Sequence, residues 1–95
     1  MSTTKKAKFS LGQIVATPGA LKALTEAEQM PLEFLARHIT GDWGDVCKDD
    51  WNRNDEALID ETRLLSAYRT RLGTKLWIIT EWDRSVTTLL LPEEY

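Results

Sequence analysis

The chain is poor in reactive side chains: one histidine, one cysteine, three prolines and five glycines in 95 residues. A single cysteine excludes an internal disulfide and fits a reducing compartment, so a cytoplasmic location is expected. One histidine and one cysteine are too few soft ligands for a structural zinc site. No apolar run approaches the roughly 18 residues of a membrane span, and the longest, Thr87–Leu91, reads as a strand. The opening "MSTTKKAKFS" has no apolar core, so no secretory signal is expected. Repeats and low-complexity linkers are also missing.

Strong net charge is lacking too. At −3 the chain is too mildly acidic for a nucleic-acid mimic and of the wrong sign for a general nucleic-acid binder. The charge is unevenly spread. Residues 41–61 hold eight acids against two bases, a net −6, which leaves the remainder at +3. Its bases sit in "KKAK" and between Arg63 and Lys75. The plain reading is a solvated acidic helix beside a basic hairpin.

What is present is enough for one domain over residues 9–95, with residues 1–8 expected to be a flexible tail. "GQIVAT" reads either as a short edge strand or as an extended lead-in. Thr17 is placed to cap a helix whose first position is Pro18, where a missing N–H costs nothing. Ala20, Leu21, Leu24 and Ala27 share one face of it. Pro31 starts a second helix, with Leu32, Leu35, Ala36 and Ile39 as its apolar stripe and Gly41 as its stop. A third helix is predicted over 47–60, striped by Cys47, Trp51, Asn54 and Leu58. Beyond "DETR" the pattern turns to β-branched and aromatic residues. "LLSAYRT", "KLWIITEW" and "SVTTLLL", joined by "RLGT" and "DRS", predict a three-stranded antiparallel meander. The fold class is α+β, with three short helices followed by that meander.

The stretch "RHITGDWGDVCKDDW" concentrates the unusual chemistry. Asp42, Asp45, Asp49 and Asp50 lack the alternation of a calcium loop and its bidentate Glu, so neither a metal nor a cofactor is expected. Asp42 and Asp45 read as turn and cap residues, and Trp43 as a plug between the second and third helices. Asn54 falls on an inner stripe and must bond either this turn or the sheet. His38 lies at the edge of its stripe, the place of a half-buried packing residue. It is also the only side chain titrating near neutrality, and so the natural general base. Hydroxyls at Ser66, Tyr68, Thr80, Thr87 and Thr88, with arginines around them, are what a metal-free ribonuclease needs. They are equally ordinary on a sheet.

"FSLGQIVATPGAL", "PLEFLARHITGDWGDV", "LLSAYRT", "KLWIITEWDRS" and "TTLLLPEEY" resemble a family of small bacterial proteins of plasmids, prophages and integrative elements. Its members are labelled plasmid-related proteins or type I restriction subunits. The resemblance runs from Phe9 to Tyr95 and implies a mobile-element origin without implying a mechanism. Two departures stand out: Cys47 replaces an expected Ser-like cap, and Glu61–Thr62 stands where a Gly is common. The restriction label does not fit, because no methyltransferase glycine motif is present. In layout the chain is also similar to the barnase–EndoU–colicin–RelE nucleases. That similarity implies His38 as base, Arg63 or Arg69 as phosphate clamp, and Thr80 or Thr87 as orienting hydroxyl, with nucleic acid as partner.

Three functional expectations follow. The first is an accessory protein that binds a host or mobile-element protein through Asp42, Trp43, Asp45, Asp49, Asp50 and Trp51, the tryptophans being anchors where exposed. The second is the nuclease. A third, slighter one is self-association through an open sheet edge.

Overall fold

A computed structural model describes residues 6–95. The elements run β1 (Gln13–Ala16), α1 (Pro18–Glu26), α2 (Pro31–Ile39), α3 (Lys48–Asp60), β2 (Leu64–Arg69), β3 (Lys75–Thr80) and β4 (Val86–Leu90), closed by a 3₁₀ turn over Pro92–Glu94. The class is α+β, as expected. The sheet, however, is four-stranded and mixed, in the order β1-β4-β3-β2. Strands β2, β3 and β4 pair antiparallel, while β1 joins β4 in parallel. The "GQIVAT" run is therefore a true edge strand.

Local rules explain the helix starts. The Thr17 hydroxyl accepts the Ala20 N–H at 3.1 Å, capping α1 with Pro18 just inside. Glu94 adds a carboxylate at the same helix start, accepting from the Thr17 hydroxyl and the Gly19 N–H. A negative charge is favoured there by the helix dipole. The α3 helix begins at Lys48, with Cys47 as its N-cap and no side-chain cap bond.

The α1 and α2 helices pack on one sheet face. Ala20, Leu24, Phe34 and Leu35 meet Tyr68, Leu76, Ile78 and Leu89 in the main core. A second cluster of Trp43, Ala57 and Leu64, with Phe9, Val46, Trp51 and Leu58 against it, seats α3 along β2. The α2 stripe differs from expectation: Phe34, Leu35 and His38 are buried, while Leu32 is exposed. The helix is turned so that the imidazole faces inward, which the sheet hydroxyls permit. On β3, Leu76, Ile78 and Thr80 share the helix-facing side, as the alternation predicts.

Of the expected flexible tail, residues 1–5 lie outside the described residues. Lys8 is tied in, its N–H donating to the Ile39 carbonyl at 2.8 Å. Phe9 then reaches His38 edge-on and stacks on Trp43.

Candidate functional site

His38, the expected catalytic base, has no solvent exposure. Its Nδ1 lies 2.5 Å from the Ser66 hydroxyl and its Nε2 2.9 Å from the Thr80 hydroxyl. Thr80 lies 2.7 Å from Thr87, and Thr87 donates to the Leu11 carbonyl at 2.7 Å. A hydroxyl has one proton to give, and with a neutral ring this fixes every role in the chain. Thr87 spends its proton on Leu11, so it accepts from Thr80. Thr80 has then spent its own, so it accepts from His38 Nε2–H. Nδ1 carries no proton and accepts from Ser66. The result is a neutral imidazole in the Nε2–H form, with the donors running Ser66, His38, Thr80 and Thr87, and the Leu11 carbonyl as the final acceptor.

The electrostatics agree. Burial, with the Arg84 charge as a second cause, pulls the His38 pKa down to about 3. The ring is neutral at pH 7 and poorly suited to take a proton. Ser66 beside an unprotonated nitrogen has the arrangement of a nucleophile and its base, but Ser66, Thr80 and Thr87 are as fully buried as the ring. Phe9 and Trp43 close the imidazole edge-on at 5.2 and 5.6 Å.

Three of the five expected catalytic residues thus converge: His38, Thr80 and Thr87. Arg63 and Arg69 do not join them. They alternate onto the opposite sheet face from Leu64, Ser66 and Tyr68. The Arg63 guanidinium lies 5.3 Å from the Tyr95 ring, and Arg69 is 3.6 Å from Asp45. The arginine nearest the chain's logic is Arg84. It donates to the carbonyls of Ala57 (3.0 Å), Thr62 (2.6 Å) and Glu81 (3.2 Å), so it closes the α3 C-terminus through backbone oxygens.

The expected binding residues divide in the same way. Trp43 is fully buried, its indole N–H donating to Asp55 at 3.0 Å, so it anchors the interior and is no surface contact. Asp42 binds the Arg37 guanidinium at 2.8 Å and the Gly44 N–H at 3.2 Å, and its carbonyl accepts the Tyr68 hydroxyl. Burial pushes the Tyr68 phenol pKa up, in keeping with a neutral donor. The Ala67 N–H donates to Trp43 and the Asp45 N–H to Ala67, so "GDWGD" is a clamp on the β2 edge. Asn54 completes the clamp, its amide bonding both backbone groups of Leu65. Trp51 is half-buried against the second cluster, while Asp45, Asp49 and Asp50 are exposed.

Sequence periodicity overlooked Ile59, which is 83% exposed on α3. The signal was an isoleucine one step off the Cys47, Trp51, Asn54, Leu58 stripe. Asp49, Asn52, Glu56 and Ile59, all exposed, recur at helical spacing along the outward face. Among the described residues, the ion pair on this helix is Arg53–Asp50 at 3.9 Å. Among the described residues no three His, Cys, Asp or Glu side chains are grouped to hold a metal ion, and no helix is long and apolar enough to cross a membrane.

Compared with known proteins, the chain matches no family model, no curated protein and no solved structure.

Proposed function

We propose that the protein is a small accessory protein of a mobile genetic element that acts in the cytoplasm by binding another protein. Its contact surface is the outer face of α3 with the corner before it: Asp45, Asp49, Asp50, Glu56 and Ile59. Exposed Ile59, at the end of a stripe of carboxylates, is the observation that carries this reading. The carboxylates suit a basic partner and speed its approach, and Ile59 supplies apolar area that water leaves unrewarded. The mobile-element setting rests on the motif resemblance, and the cytoplasm on the lone free cysteine. The test is a photo-crosslinking residue at position 59 in a bacterial host. A discrete product is expected from position 59, lost on Asp49→Asn with Glu56→Lys, and not formed from exposed position 72. Equal products from both positions, or none, would reject the surface.

The metal-free ribonuclease is the second reading, favoured by the convergence of His38, Thr80 and Thr87 on one hydrogen-bonded chain. Against it stand the sealed imidazole, its low pKa and the placement of Arg63 and Arg69 across the sheet. Inducing the protein in a bacterial host is expected to leave growth and total RNA intact. Growth arrest with RNA cleavage that Thr80→Val abolishes would reverse the order of the two readings.

A further inference from the structure

The two edges of the sheet are treated differently. At β2, Leu65 is bonded by the Asn54 side chain and Ala67 by Trp43 and Asp45, so that edge is closed. At β1, the Gln13 N–H donates to Ser85 at 2.9 Å and the Thr17 N–H to Leu89 at 3.0 Å. These bonds turn residues 13 and 17, and by alternation Val15, toward β4. The N–H and C=O groups of Ile14 and Ala16 point out of the sheet, and none of the described residues bonds them. Ile14 is 49% exposed and Val15 38%. From Gln13 to Thr17 there is no charge and no proline, the usual guards of a free edge.

We infer that a second copy of the chain occupies this edge, the two β1 strands pairing antiparallel about a two-fold axis through Val15. The backbone selects this register. With the axis at Val15, Ile14 of each copy faces Ala16 of the other, and all four outward groups on each strand are used. Moving the axis to Ile14 sets Ala16 against Gly12, whose φ of +64° is not that of a strand. Moving it to Ala16 sets Ile14 against Pro18, which has no N–H. Charge supports a second copy as the occupant. A two-fold axis at Val15 sets Val15 against its own copy and residue 13 against residue 17, so a charged strand would crowd like charges within this short pairing, and like charges across a pair of strands are destabilising. A neutral strand is what self-pairing requires. The product is a continuous eight-stranded sheet, with the helix-free faces of both copies on the same side. The contact is small, so the dissociation constant is expected on the order of 100 µM. This inference is independent of the α3 surface.

Sedimentation equilibrium of the full chain from about 10 µM to about 1 mM is expected to show a monomer–dimer equilibrium. Ile14→Pro removes an outward N–H without touching the β1–β4 bonds and is expected to leave a monomer with unchanged circular dichroism. The register has its own test. Opposed residues of a non-hydrogen-bonded pair lie about 4.5 Å apart at Cα, within disulfide reach. In a Cys47→Ser background, Val15→Cys is expected to form a linked dimer at least tenfold faster than Asp60→Cys under mild oxidation. A wild-type monomer across the whole range, or equal linking of the two variants, would overturn the inference. Should Ile14→Pro unfold, the cysteine pair decides alone.

Discussion

The Ser66 hydroxyl donates a hydrogen bond to Nδ1 of the neutral His38 imidazole across 2.5 Å, and neither group reaches solvent. The pair resembles a catalytic dyad in arrangement but serves the interior, where a buried polar group must be bonded or it costs stability.

The first prediction is the state of that imidazole. Nitrogen-detected NMR at pH 7 is expected to show His38 as the neutral Nε2–H form, with no titration of the ring between pH 7 and about pH 4. An Nδ1–H tautomer would contradict the proton order derived from Thr87, and a ring titrating near 6.5 would contradict its burial.

The same shift fixes a pH dependence. The unfolded histidine takes a proton below about 6.5, and the folded one resists until about 3. The stability due to a neutral ring is therefore complete above pH 6.5 and is lost as pH falls toward 3. The slope approaches about 1.4 kcal/mol per pH unit. Urea unfolding of the wild type between pH 7 and 4 is expected to show this slope, and His38→Gln to lack it. Arg84→Met, which removes the second cause of the shift, is expected to move the onset of ring titration to higher pH.

Thr80→Val keeps the side-chain shape and removes the middle of the relay. His38 Nε2–H then has no acceptor and Thr87 no donor. A loss of about 2–3 kcal/mol is expected from denaturant unfolding, and it should add poorly to the loss from Ser66→Ala, since both act on one network.

Two glycines with positive φ should respond unequally. At Gly44, with φ of +78°, a Cβ would land on the Ala67 carbonyl and the Tyr68 ring. At Gly73, with φ of +86°, a Cβ meets open space. Gly73→Ala is expected to cost about 1–2 kcal/mol, the backbone strain alone. Gly44→Ala is expected to cost well beyond that, because it opens the clamp on β2. Thermal midpoints of the two variants check the order.

Elements that depend on near neighbours were legible in the sequence. Thr17 and Pro18 announce α1, Pro31 announces α2, and the change of period after residue 63 announces the strands. Asn54 is legible as a polar residue that must find a partner, but the sequence does not distinguish the turn from the sheet, and the partner is Leu65 of β2. His38 at the centre of its buried face was not legible. Its burial depends on hydroxyls 28 and 42 residues away, which no helical period registers. The parallel pairing of β1 was hidden for the same reason: four residues carry no usable period, and their partner strand is the last in the chain. Ile59 failed to register because a stripe reading looks for the inward face.

The chain closes its sheet by joining its first strand to its last. Leu11 and Thr87 are bonded across 76 residues, and Thr17 and Glu94 across 77. During synthesis, α1 and α2 emerge long before the strands that cover their apolar faces, and β1 has no neighbour until β4 is made. Native structure must therefore arrive late and nearly all at once, which makes the nascent chain dependent on whatever shields those faces as it leaves the ribosome.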